Sequence, residues 1–426
     1  MNMLQIQGGR PLHGEVDVAG SKNAALAIMS AVLLVEGTTV LHNVPHVSDT
    51  RIKAHLLERF GAVVSWHEGS LYVDCTNIRM GDVDEEMVRL IRTSFYLLGP
   101  LLARTGQAIL PAPGGCKIGQ RPVDFHLKGL ALLGADVQLD GGTYIAKTPG
   151  LKGAEIYLDF PSAGATQHLM SAAVLAEGVT TIQNAAFEPE VTTLAAFLNR
   201  MGARIEGAGT SQITIMGVKS LEPCEFRVPS DRLQAGTYML AGAITGGDVT
   251  VRGIMPDNQT ALVNKLREAG ADVTEGPDWV RVTAPRRLKG IRVKTMTYPG
   301  FPTDMQQPMA ALLCLAAGNS VVEETIYESR TGHVPELQRM GAEIRVERGN
   351  LTIISGVERL KGAAVEASDL RAGAALVLAG LSAEGDTTIR NVHFIDRGYE
   401  DLEATLTSLG ANIERVEEEH TQEASN

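Results

Sequence analysis

Aromatic side chains are scarce in this chain, at 4% of 426 residues. Its cores must therefore close with Ala, Leu, Val and Ile, and a hydrophobic content of 44% supplies them. Cysteine is also rare. Cys75, Cys116, Cys224 and Cys314 lie far apart with no CxxC or zinc spacing, which excludes a disulfide framework and a zinc ribbon. Positive charge is in deficit, with 38 Lys and Arg against 50 Asp and Glu and a net charge of -12. Such a balance excludes a general nucleic-acid binder and leaves room only for a local basic pocket. No apolar run approaches the about 18 residues of a membrane span, and no signal pattern opens the chain. The expectation is a soluble, cytoplasmic protein with no membrane partner. Walker, HExxH and dinucleotide fingerprints are missing too, so no metal and no cofactor is expected.

What is present is a repeat. A Gly-Ala dipeptide recurs at Gly61, Gly134, Gly202, Gly270, Gly341 and Gly410, at spacings of 73, 68, 68, 71 and 69 residues. A near-constant period over the whole length indicates one supersecondary unit copied six times. About 25 residues before each Gly-Ala, another glycine opens a Thr-, Val- and Ile-rich run, as in Gly37-Thr38-Thr39-Val40. An apolar stretch of helical length precedes it, such as Asn23 to Leu34, apolar nearly all round and hence predicted buried. The segment leading into Gly-Ala is amphipathic, with Ile52, Leu56, Leu57 and Phe60 on one face. Each unit therefore reads as buried helix, strand, surface helix and two or more short strands, an α/β architecture. A break near Val228-Pro229-Ser230 splits the copies into two domains of three. The expected domains are 22–229, carrying a Cys loop at 111–122, and 1–21 with 230–416. The run Met3 to Val18 is predicted as a strand that pairs with the last repeat, and 417–426 as a polar tail.

Overlaying the copies exposes two registers. The residues entering the buried helices are Lys22, Arg92, Ser162, Arg232, Asp304 and Arg371. A cation at the positive end of a helix dipole is unfavourable unless an anion offsets it, and helix N-termini are already anion sites. Ser21, Ser162, Asp231 and Asp369 are suited to cap these helices. If the buried helices point one way, their tips form a basic cleft in an acidic protein, suited to anionic substrates. The second register, 10 to 12 residues after the strand-opening glycine, holds Ser48 with Asp49, Cys116, Glu188, Asp257, Arg330, and Asp396 with Arg397.

Cys116 lies in Pro111-Ala112-Pro113-Gly114-Gly115-Cys116-Lys117-Ile118-Gly119-Gln120-Arg121-Pro122, a loop by composition. Lys117 and Arg121 favour its thiolate. Cys314, by contrast, sits in an apolar stretch and reads as structural, as do Cys75 and Cys224.

The motifs Gly20-Ser21-Lys22-Asn23-Ala24, Pro113 to Asp124, Phe301-Pro302-Thr303-Asp304-Met305-Gln306 and Asp396-Arg397-Gly398-Tyr399 closely resemble the enolpyruvyl transferases, in the branch whose acceptor is UDP-N-acetylglucosamine. The resemblance covers almost the whole chain. It implies the two-domain inside-out α/β barrel of that family, with six βα repeats, three per domain. It implies transfer of the enolpyruvyl group of phosphoenolpyruvate to the 3-hydroxyl of UDP-N-acetylglucosamine with release of phosphate, a step of peptidoglycan precursor synthesis. The route is addition then elimination through a tetrahedral ketal, which needs a proton donor, a base and cations.

By the same resemblance, Cys116 is the acid at C3 and the target of fosfomycin, a covalent inhibitor. Asp304 is the base for the sugar hydroxyl. Lys22, Arg121 and Arg397 bind the donor's phosphate, and Arg371 with Arg330 binds its carboxylate or the closed domains. Asn23 and Arg92 are further substrate contacts. Arg121, Pro122, Val123, Asp124 and Phe125 hold the uridine, and Phe160, Pro161, Ser162, Ala163 and Ile326 complete the nucleotide-sugar contacts. Asp304→Ala is expected to cut turnover with little loss of fold. Three positions depart from the family pattern: Ser48 replaces a frequent Lys, Tyr96 a frequent Trp, and His393-Phe394 inverts an aromatic-His order. Two alternatives stand beside this reading. One is the sister enzyme 3-phosphoshikimate 1-carboxyvinyltransferase, whose pattern has no Cys loop; the other is a non-catalytic paralogue that only binds UDP-sugar.

Overall fold

The computed structural model describes residues 2–81, 83–114, 123–348 and 350–417. All six Gly-Ala glycines adopt left-handed backbone, with φ between 90° and 102°. Each ends a helix in the same way. The alanine N–H donates to a carbonyl five residues back, at Leu57, Leu130, Leu198, Leu266, Leu337 and Leu406. The glycine N–H donates three residues back, for example Gly202 to Asn199 at 3.0 Å. This is a Schellman cap, and it needs a residue without Cβ at its left-handed position. The accepting residue is a leucine in every copy, and all six are buried. The recurring dipeptide is thus the stop signal of six outer helices.

After each of the first five stops the chain enters a hairpin that joins the strand begun at the other glycine; after the sixth it enters a single strand, and Asn2–Gln7 takes the hairpin's second place. Strand Thr38–His42 pairs antiparallel with Ser70–Asp74, which pairs with Val63–His67. The other copies repeat this pattern around Gln107–Pro111, Val179–Gln183, Asp248–Arg252, Asn319–Glu323 and Asp386–Arg390. Among the described residues there are six small sheets, five of four strands and one of three. In the three-stranded sheet a helix, Glu85–Leu90, occupies the place in sequence where other copies have a parallel edge strand.

The chain divides into two compact units, with crossings at 18/19 and 231/232. In the unit that opens at Ala19, three inner helices, Lys22–Ala31, Leu98–Thr105 and Ala163–Ala173, build a core packed with Ala, Leu, Val and Ile. The inner helices of the other unit are Arg232–Ile244, Gln306–Leu313 and Leu370–Ser382, with a core of the same kind. Each unit holds three repeats, with one inner helix from each repeat packed into its core.

Some expectations need correction. Met3 to Val18 is two strands. Asn2–Gln7 pairs with Asp386–Arg390 and Asn412–Glu417 of the last repeat, while His13–Asp17 pairs with Asp248–Arg252 of the fourth. Glu417 belongs to the strand Asn412–Glu417, opposite Asn2; the rest of the expected tail lies outside the described residues. Arg92 opens a 3-10 turn, Arg92–Leu97, and the α-helix begins only at Leu98. Pro100 accounts for part of this: without an N–H it suits the first turn of a helix and not its interior.

Candidate active site

In the unit opened by Ala19, the first inner helix begins at Lys22, and Ser21 caps it by accepting from the Ala24 N–H. The Lys22 N–H donates to Asp231 Oδ2 at 3.1 Å. Its amine lies 3.3 Å from Asp49 Oδ2. Both side chains are buried, and Asp49 sits in the first turn of the helix Ser48–Arg59. The anion that offsets the cation at this helix tip is therefore supplied by the protein. Asp231 thereby serves the tip of the first inner helix.

Asn23, Arg92, Val123 and Phe125 are half-buried in the same unit, and Asp124 is exposed. Val123 precedes the helix Asp124–Leu132. Phe160 is exposed, and Pro161, Ser162 and Ala163 follow it half-buried at the start of the third inner helix. Ser162 caps that helix through the Ala165 N–H. Cys116, Arg121 and Pro122 lie outside the described residues. Of the remaining thiols, Cys75 and Cys314 are fully buried and burial pushes them up to about 12, so neither is poised to react. Burial raises Cys224 as well.

In the other unit, Asp304 is the centre of a cluster. Its Oδ1 lies 2.9 Å from Arg330 and its Oδ2 accepts from Arg371 Nε at 3.2 Å. The two guanidiniums are buried, while the carboxylate side chain is 27% exposed. Arg330 also donates to the Thr303 hydroxyl at 2.9 Å, and that hydroxyl lies 2.9 Å from Glu324. Glu324 in turn accepts from the Ile326 and Tyr327 N–H groups, fixing the loop that carries Ile326 and Arg330. Arg371 donates to the Tyr399 hydroxyl at 3.1 Å, which is 2.7 Å from Thr237. Asp369 caps the helix of Arg371 and accepts from Gln307. The tips of all three inner helices of this unit are thereby tied together. The result is one partly exposed carboxylate gripped by two cations.

Arg397 is half-buried at the end of the 3-10 turn Val392–Arg397. Its neighbour Asp396 accepts from Arg415 at 2.7 and 3.0 Å. Sequence reasoning missed Glu324, Thr237 and the fully buried His333. Tyr399 was within a quoted motif, but without a role. Among the described residues, no group of three or more His, Cys, Asp or Glu is placed to hold a metal ion. No helix among the described residues is long and apolar enough to cross a membrane.

A family model described as EPSP synthase (3-phosphoshikimate 1-carboxyvinyltransferase) matches residues 6–406. The chain belongs to this enolpyruvyl transferase family. Within the family its relatives are more specific. It is 49% identical over 420 residues to UDP-N-acetylglucosamine 1-carboxyvinyltransferase from Trichlorobacter lovleyi, covering 98% of this chain and 100% of that protein. It is 50% identical over 416 residues to UDP-N-acetylglucosamine 1-carboxyvinyltransferase 3 from Symbiobacterium thermophilum, covering 97% and 98%. Among solved structures, the enolpyruvyl transferase NikO from Streptomyces tendae superposes with a TM-score of 0.88 at 26% identity, covering 97% of this chain and 99% of that one. An EPSP synthase from Acinetobacter baumannii, at 22% identity and a TM-score of 0.76 over 98% and 100%, shares the fold. Near-half identity along the whole length falls to the UDP-sugar enzymes, against about a fifth for the phosphoshikimate enzyme.

Proposed function

We propose that this chain transfers the enolpyruvyl group of phosphoenolpyruvate to the 3-hydroxyl of UDP-N-acetylglucosamine, releasing phosphate, in the cytoplasm and at the start of peptidoglycan precursor synthesis. The observation that carries it is Asp304 between Arg330 and Arg371, in a chain about half identical to enzymes of that name. In this reading the sugar hydroxyl loses its proton to Asp304 and its oxygen bonds to C2 of the donor. Cys116 gives a proton to C3 in the same addition. The tetrahedral ketal then loses a C3 proton and breaks its C2–O bond to phosphate, leaving the enol ether. Arg371 and Arg330 hold the donor carboxylate; Lys22, Arg121 and Arg397 hold its phosphate. Asn23, Arg92, the run 121–125, Phe160 to Ala163 and Ile326 receive the nucleotide sugar. No nucleic acid, membrane or metal takes part.

Incoming anions give the buried cations second partners. A carboxylate at Arg371 competes with Asp304 for the guanidinium, and a carboxylate freed of one cation is a better base. A phosphate-release assay with each substrate omitted in turn tests the reaction. Release with shikimate 3-phosphate in place of the UDP-sugar would favour the sister activity, and binding without release would favour a regulatory paralogue. Cys116→Asp is expected to retain turnover, because a carboxylic acid can also donate the proton, and to escape alkylation by fosfomycin. A dead Asp variant that still binds both substrates would remove the acid role.

A further inference from the structure

The helix Ser48–Arg59 buries a second charged residue one turn beyond Asp49. Lys53 is 0% exposed, and its amine donates to the Thr93 carbonyl at 2.5 Å. Taking a lysine amine out of water is costly unless it meets a partner, and the Thr93 carbonyl is that partner. Burial pushes its amine well below the usual lysine range. Its acceptor belongs to the 3-10 turn Arg92–Leu97, immediately after Arg92.

The other end of that segment is held by a second buried base. The Gly99 N–H donates to His168 Nε2 at 2.8 Å. Burial pushes His168 down to about 3, so the ring is neutral and its Nε2 lone pair is available. With Nε2 accepting, the proton sits on Nδ1 and is donated to His126 Nδ1, 3.0 Å away. Phe95 and Tyr96 pack against His168, with ring centroids at 5.5 and 6.2 Å. Between the two ends, the Ser94 hydroxyl bonds to the carbonyls of Val88 and Ile91, each at 2.8 Å.

We propose that Lys53 and His168 are positioning residues that hold the segment Arg92–Gly99, and with it the Arg92 guanidinium, for an anionic nucleotide sugar. The inference rests on the reading of Arg92 as a substrate contact. Asp49 and Lys53 are four residues apart and share the buried face of one helix. That face therefore sets the separation of two cations, Lys22 through Asp49 and Arg92 through Lys53. A straight helix turn is a rigid spacer.

The test is steady-state kinetics on full-length Lys53→Met, Arg92→Ala and the double variant. Lys53→Met is expected to raise KM for UDP-N-acetylglucosamine about tenfold, with kcat and KM for phosphoenolpyruvate within about twofold. In the Arg92→Ala background it should add nothing further. A normal KM in Lys53→Met beside a raised one in Arg92→Ala overturns this inference alone. A normal KM in Arg92→Ala sinks the reading of Arg92 and the inference with it. A fall in kcat at unchanged KM would mean only fewer folded molecules, and would also overturn it. If Lys53→Met does not fold, the other anchor reads the same claim. His168→Gln keeps an acceptor for Gly99 and should keep KM, whereas His168→Phe should raise it; equal KM values in the two variants overturn the proposal.

Discussion

Asp304 shows how burial of its partners changes the choice of variant. Sequence alone suggests that a cleft carboxylate can be cut to Ala at little cost to the fold. The structure puts two buried guanidiniums on it, so removal leaves both without their counter-ion. Asp304→Ala is expected to lose about 1–3 kcal/mol of stability along with turnover. Asp304→Asn keeps an acceptor and should lose less, while turnover still falls about 10²–10⁴-fold. Urea midpoints and phosphate release measure the two effects separately. His333 offers a pH test. It is fully buried, neither ring nitrogen has a hydrogen-bond partner among the described residues, and burial pushes it down to about 4. Asp369 pulls the other way and Arg330 adds to the lowering. The unfolded histidine takes its proton first as pH falls below about 6.5, so the folded state is favoured above that pH and loses stability toward 4. The slope is about 1.4 kcal/mol per pH unit for each such histidine, and His168 adds its own. His333→Leu should flatten the decline in urea midpoint between pH 6.5 and 5 by one histidine's share; an unchanged slope would show that the ring is not held neutral.

The outer helices were the most legible elements, because their stop is local chemistry. Leucine, three residues, glycine, alanine is enough to specify the cap, and all six copies keep it. The Gly202→Ala variant puts a Cβ on left-handed backbone and is expected to cost about 1–2 kcal/mol, read as a drop in urea midpoint. An equal midpoint would mean that the cap relaxes freely. Other features are not local and left no pattern in the sequence. Lys53 is a charged residue outside the apolar set Ile52, Leu56, Leu57 and Phe60, and nothing local marks it as buried, since its acceptor lies 40 residues away. His168 sits mid-helix among apolar residues and gains meaning only from Gly99, where a Cβ would come 2.8 Å from its ring nitrogen. The motif residues fared differently from one another. Lys22, Asp304, Arg330 and Arg371 fell into clusters with partners, and Tyr399 gained one; Asp396 turned out to be bound to Arg415 by two short contacts.

At the scale of the whole chain, the two units are unequal in how they use sequence. Residues 19–231 are continuous and contain every strand of their three sheets, including Glu225–Arg227, which pairs with Thr38–His42. The other unit is assembled from both ends of the chain, with Asn2–Gln7 lying between two strands of the last repeat. Residues 19–231 expressed alone should therefore fold and unfold cooperatively in urea, whereas the chain lacking 1–18 should expose unpaired strand edges and aggregate. A fragment 19–231 without a cooperative transition would show that its core depends on the remainder.

The interleaving also orders events on the ribosome. The segment Asn2–Gln7 is synthesised well before its neighbours Asp386–Arg390 and Asn412–Glu417, which follow it much later in the sequence. At about 5–20 residues per second, this strand, whose Leu4 and Ile6 are buried in the finished fold, waits tens of seconds for its partners. A nascent chain of this protein thus carries a strand without its pairing partners until residues 386–417 are made, and its yield in the cell should depend on holdase chaperones more than its finished stability would suggest.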